Sequence, residues 1–126
     1  MPRVLVVDDD PKVNDLLARL LRRLGHEVLE ATNGIQAMQL VAEEGPDLVI
    51  TDILMPEMDG FEVIRSLRAQ GIDTPVVAMS GGGVVEKDVL LGQGTAMGAV
   101  STLRKPVDLG ELTRVIEEAL SDGPPA

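Results

Sequence analysis

Val4-Leu5-Val6-Val7-Asp8-Asp9-Asp10, the stretch VLVVDDD at residues 4–10, decides the fold. Its aliphatic run is short and does not alternate with polar residues. Such a run suits a strand buried on both faces of a parallel sheet. The carboxylates then end the strand abruptly, and a helix signal follows at once. Asp10 is a good helix cap and Pro11 fits the first helical position. Val13, Leu16, Leu17, Leu20, Leu21 and Leu24 recur at the spacing of one helical face, and Gly25 fits the stop.

Outward from this unit the pattern repeats. Residues 47–51 (DLVIT) and 75–79 (PVVAM) read as two more central strands, and 26–31 (HEVLEA) and 99–103 (AVSTL) as mixed edge strands. Helical stretches run from about Gly34 to Glu44, closed by Gly45-Pro46, and from about Gly60 to Gln70, closed by Gly71. The last helix has Leu109, Leu112, Ile116 and Leu120 on one face, and Asp108 to Glu111 resembles a capping box. Residues 84–97 make a poor helix, interrupted by Gly92 and Gly94 and preceded by Gly81-Gly82-Gly83; each interior Gly costs ~1 kcal/mol against Ala. Strict alternation implies an α/β fold of three layers, helices on both faces of a doubly wound, five-stranded parallel sheet. With the second and fifth strands at the edges, the order is 2-1-3-4-5, the flavodoxin-like arrangement. One domain is expected over residues 1–120, with 121–126 (SDGPPA) a flexible tail or the start of a linker.

Composition narrows the function. The 126 residues suffice for one domain core, built without Trp or Tyr and with a single Phe. Cysteine is absent, so disulfides and thiol chemistry are excluded. No apolar run is long enough for a membrane span, and no signal-peptide layout opens the chain, which points to the cytoplasm. A formal net charge of −10 disfavours direct nucleic-acid binding and favours a divalent cation.

The expected topology gives the acidic residues a meaning. Asp8 and Asp9 follow the first strand, Asp52 follows the third, and these strands are neighbours at the topological switch point. Carboxylates from distant parts of the chain therefore meet in one crevice, where they repel unless a hard cation joins them; oxygen-only ligands suit Mg2+. Acidic residues also end strands simply because loops are polar, and one Asp alone would mean no more than that. Ser80 follows the fourth strand and Lys105 the fifth, on the same rim. A hydroxyl and an ammonium there can bind phosphoryl oxygens.

The stretches VLVVDDD (4–10), VITDILMPEMDG (49–60), MSGGG (79–83) and LRKPV (103–107), in this order, resemble the receiver domain of bacterial response regulators, of the chemotaxis type. The resemblance runs from Arg3 to about Leu120. It implies that Asp52 is the phosphoacceptor and that Asp9 ligates Mg2+ directly, with Asp8 acting through water and the Leu54 carbonyl as a further ligand. It implies that Ser80 engages the phosphoryl group, that Lys105 pairs with it, and that Lys105-Pro106 is a cis peptide. The partners implied are a sensor histidine kinase or a phosphotransfer protein, and a downstream protein target. The domain would signal rather than turn over a substrate, beyond self-catalysed phosphotransfer and dephosphorylation, by switching the surface around the fourth and fifth strands and their helices. The family often has Tyr or Phe three residues before the lysine; here the position is Thr102, so ordering of Gly81–Gly83 and the helix after them would have to carry the signal.

Lesser features weigh against overreading. Lys12, Arg19, Arg22 and Arg23 offer a basic face for an acidic kinase surface, although Arg22 and Arg23 suit a helix C-terminus anyway. His26 and most of the Met residues read as structural. One rival is a haloacid-dehalogenase-type phosphatase using Asp8 in Asp8-x-Asp10, but no later acidic pair supplies its remaining ligands. The other is a receiver-like binding module that works without phosphorylation; its mark would be a missing Asp, hydroxyl or Lys, and none is missing.

Overall fold

The computed structural model describes residues 2–53, 60–80, 101–104 and 107–122. The strands are β1 (Arg3–Val7), β2 (Glu27–Ala31), β3 (Leu48–Asp52), β4 (Val76–Ser80) and β5 (Ser101–Arg104). The helices among the described residues are α1 (Pro11–Arg23), α2 (Gly34–Glu44), α3 (Gly60–Ala69) and α4 (Leu109–Asp122). The strands form one parallel sheet in the order β2-β1-β3-β4-β5, as the alternation requires.

Two apolar layers flank the sheet, and the pleat sorts residues between them. Val4, Val6, Leu48, Ile50, Val77 and Met79 face Leu17 and Leu21 of α1 and Leu112, Val115 and Ile116 of α4. Leu5, Val7, Val49 and Val76 face Ala37 and Val41 of α2 and Val63, Ile64 and Leu67 of α3. This burial on both faces is why the central strands are written as continuous aliphatic runs.

Local chemistry sets the helix ends. Asp10 accepts a hydrogen bond from Lys12 N, Asn33 from Gln36 N and Asp108 from Glu111 N, so each caps the helix it precedes. Gly45 ends α2 at φ 57°, a left-handed conformation that favours glycine, and its N–H donates to the Val41 carbonyl. At the opposite pole from the switch point, Arg3 joins three segments. Its N–H donates to Asp47 Oδ2, and its guanidinium pairs with Glu27 and Glu44 at 3.2 Å each. The Arg68 guanidinium donates to the carbonyls of Ile72 and Thr74, tying the turn after α3. Burial pushes its pKa down, and Asp73 partly opposes that.

Several expectations shift. β3 and β4 each start and end one residue later than read, so Asp52 and Ser80 are the last residues of their strands rather than the first beyond them. Backbone pairing defines a strand, and Asp52 still pairs with Met79 despite its polar side chain. β5 occupies Ser101–Arg104 against the 99–103 expected. On α1, the buried residues are Asn14, Leu17, Ala18 and Leu21, whereas Leu16 is 45% exposed. Leu16 lies about 150° around the helix from the centre of that arc, at 100° per residue. Leu24, the cap residue, and Leu109, the first residue of α4, are also exposed, because each sits at an end where the packed layer stops. α4 continues to Asp122, taking in two residues assigned to the tail. The helix expected over 84–97, the Gly81–Gly83 loop and residues 123–126 lie outside the described residues.

Candidate functional site

The site forms where β1 and β3 run side by side. Their register pairs Val7 with Thr51, which brings the next residues, Asp8 and Asp52, to neighbouring positions at the carboxyl ends. Each end is held by backbone bonds beyond the ladder. Asp8 N donates to the Ala31 carbonyl of β2 at 3.2 Å, and Ile53 N donates to the Met79 carbonyl of β4 at 3.3 Å. Asp8 Oδ1 accepts from Asp10 N at 2.9 Å, which folds the acidic stretch into a tight turn. Asp10 in turn caps α1, so strand end, turn and helix start form one rigid unit.

Asp8 is fully buried, Asp52 is 5% exposed, and Asp9 is exposed. Carboxylate oxygens of these three residues lie within 4.8 Å of one another. Concentrating like charges away from water is costly without cations among them. The donor set is all oxygen and anionic, the chemistry a hard divalent cation takes. Two oxygens on one Mg2+ are at most about 4.2 Å apart, given Mg–O near 2.1 Å. The cluster therefore fits Mg2+ with movements of tenths of an ångström, or with one carboxylate acting through water.

The chain's similarity to known proteins agrees with this geometry. The family model for the response regulator receiver domain matches residues 4–117. The chain belongs to the receiver domain family of response regulators. Among its relatives, the response regulator MprA of a Mycobacterium species (strain KMS) is 41% identical over 110 residues, covering 87% of this chain and 46% of that protein. The DNA-binding dual master transcriptional regulator RpaA of Synechocystis is 36% identical over 114 residues, covering 89% of this chain and 46% of that one. This receiver thus spans about half the length of these curated relatives. A crystal structure of a response regulator from Chloroflexus aurantiacus superposes with a TM-score of 0.86 at 30% identity, over 95% of this chain and 98% of that one.

Of the residues singled out from the sequence, the receiver's structure brings together Asp8, Asp9 and Asp52. Ser80 ends β4, the strand next to β3, opposite Arg104 of β5. Lys105, Leu54 and the Lys105-Pro106 peptide lie outside the described residues. Thr102 lies in β5, paired in register with Ala78. The basic residues Lys12, Arg19, Arg22 and Arg23 are all exposed, and Arg19 pairs with Asp15 on its own helix. His26 lines a groove of about 330 Å³ with Leu24, Thr113, Ile116, Glu117 and Leu120, at the end of β2 opposite the carboxylates. No helix among the described residues is long and apolar enough to cross a membrane.

One residue at the site was not anticipated. Asn14 of α1 is 2% exposed and donates from Nδ2 to the carbonyls of Asp8 and Ala31, both at 2.9 Å. The signal for it lay in the helical period: the stripe Leu17, Ala18, Leu21 reaches Asn14 when carried back one turn.

Proposed function

We propose that the chain is the phosphoacceptor of a two-component phosphorelay, with Asp52 taking the phosphoryl group. The observation that carries this reading is the convergence of Asp8, Asp9 and Asp52 at the end of β1 and β3. Asp9 and Asp52 would hold Mg2+ directly, with Asp8 through water and the Leu54 carbonyl as a further ligand. Bound there, Mg2+ would offset the negative charge on the transferring phosphoryl group.

Asp52 attacks the phosphorus of a phosphohistidine on a histidine kinase or phosphotransfer protein, or of a small acyl phosphate. An oxygen–phosphorus bond forms at the Asp52 carboxylate as the bond from phosphorus to the donor breaks. Burial and the β3–β4 ladder hold the nucleophile in place, so positioning supplies much of the catalysis. The Ser80 hydroxyl and the Lys105 ammonium bind the phosphoryl oxygens. The product carries about −2 charge where one carboxylate stood. That charge draws Ser80 and Lys105 and alters the surface around β4 and β5, which a downstream protein reads. Water attacking the acyl phosphate releases inorganic phosphate and restores Asp52. Receiver domains are not classical enzymes, and the self-catalysed steps here serve signalling in the cytoplasm. Nucleic acid is not a direct partner of this domain, in keeping with its net charge of −10.

The test is incubation with Mg2+ and acetyl phosphate, read by intact mass. Wild type gains one phosphoryl group and Asp52→Ala gains none. Gain in both proteins, or in neither, overturns the reading. Mapping the modified residue separates it from a phosphatase of the haloacid-dehalogenase type, for which Asp8 would carry the group.

A further inference from the structure

We infer that Asn14 is a positioning residue for this site: its side-chain amide fixes the Asp8 peptide and thereby the aim of the Asp8 and Asp9 carboxylates. The inference rests on the reading of that site as a magnesium-dependent phosphoacceptor.

Asparagine is a poor choice for the interior of a helix, where its side chain competes with the backbone for hydrogen bonds. It is a costlier one when buried, unless its polar atoms are all bonded. Asn14 is both interior and buried, within the stripe that holds Leu17, Ala18 and Leu21. Its two amide hydrogens go to different strand ends, the Asp8 carbonyl after β1 and the Ala31 carbonyl of β2, at 2.9 Å each. The Ala31 carbonyl also accepts from Asp8 N at 3.2 Å. Both the N–H and the C=O of Asp8 are therefore tied to the Asn14–Ala31 pair. The Asp8 carbonyl belongs to the peptide that leads into Asp9, so the tie orients two of the three clustered carboxylates. Asn14 Oδ1 is buried and meets no donor among the described residues.

A leucine at this position would bury more apolar surface and favour the helix, but it would take from the buried Asp8 carbonyl the donor that Asn14 supplies. Asn14 thus carries a helix-propensity and burial penalty, and what it gives in return is bonds to the backbone beside the reacting groups. Local compromises of this kind are expected where a functional site needs support. A residue that only joined α1 to β2 would influence melting and leave the carboxylates indifferent to it.

The experiment compares wild type with Asn14→Leu in the unphosphorylated state. Magnesium affinity is measured by titration calorimetry and stability by circular-dichroism melting. The variant is expected to lose at least about 10-fold in Mg2+ affinity, as loss of supporting groups around metal ligands commonly does, while a cooperative melt shows that it folds; the gained apolar contact and the lost donor to the Asp8 carbonyl act in opposite directions on its melting temperature. Equal Mg2+ affinity in the two proteins overturns the inference. Failure of wild type itself to bind Mg2+ overturns the parent reading instead. A second measurement needs no variant: during a Mg2+ titration of wild type followed by NMR, the Asn14 side-chain amide resonances should shift while those of exposed Gln39 on α2 stay put. Stationary Asn14 resonances would likewise overturn the proposal.

Discussion

Single side chains decide where the elements of this receiver begin, and they do so through hydrogen bonds that replacement removes cleanly. Asp108 Oδ2 accepts from Glu111 N at 3.0 Å, and the Asp108 carbonyl takes the first helical bond, from Leu112 N. Asp108→Ala keeps the second bond and loses the first. It should lower stability by about 1 kcal/mol, the usual worth of a helix cap, as a reduced urea midpoint with unchanged slope. Circular dichroism is the appropriate probe, since the chain has no Trp or Tyr to report by fluorescence. The capping roles of Asp10 and Asp108 were legible in the sequence because a cap acts within one turn of its own position. Asn14 was not, because its partners Asp8 and Ala31 are 6 and 17 residues away. The helical period places Asn14 on the packed face, but nothing local shows which backbone groups a buried asparagine bonds.

At the scale of the element, α1 shows how far a periodic pattern can be trusted. The spacing from Val13 to Leu24 identifies the helix and its limits correctly. It assigns Leu16 to the packed face, and that is where it fails, because the apolar residues cover more of the circumference than the sheet and α4 can bury. Two neighbouring leucines therefore make a sharp comparison. Leu17 is fully buried in the apolar layer that β1 and α4 also line, and Leu17→Ala should cost roughly 2–5 kcal/mol, the transfer loss plus a cavity. Leu16 is 45% exposed, and Leu16→Ala should cost under about 1 kcal/mol, a partial burial at ~25 cal/mol per Å² being small. Equal losses from the two substitutions in a denaturant titration would mean that the rotation of α1 described above is wrong. The strands were read to within two residues at every end, and the residual error matters most at β3 and β4. Side-chain polarity suggested that each strand stopped before Asp52 and Ser80, whereas the backbone ladder carries both residues inside it.

The whole molecule sets the charge environment of the site. Its 21 acidic and 11 basic side chains give a net charge of −10, and the carboxylate cluster concentrates part of that charge in one crevice. A cation that binds only the folded state stabilises it by mass action, about 2.7 kcal/mol at a hundred times its dissociation constant. Wild type should therefore melt at a higher temperature as Mg2+ is added. The Asp9→Asn variant should show a much smaller rise, because it removes a proposed ligand charge. Sodium chloride should weaken Mg2+ binding, since counter-ions screen the domain's long-range field beyond about 10 Å at 0.1 M. An affinity independent of salt would indicate that the distant acidic residues contribute nothing.

Alternation of apolar runs with helical periods was enough, by itself, to determine the class of fold, the strand order and the meeting of the first and third strands. Those properties follow from burial and chain connectivity, which any reading of hydrophobic pattern captures. The acidic cluster was legible for the same reason, since strand ends that adjoin must bring their terminal residues together. Which leucines of α1 are covered, where each ladder stops and what holds the Asp8 peptide were decided only in three dimensions. Each depends on the orientation of one element against another, and that orientation is settled by packing across the sheet rather than by any residue's neighbours in the chain.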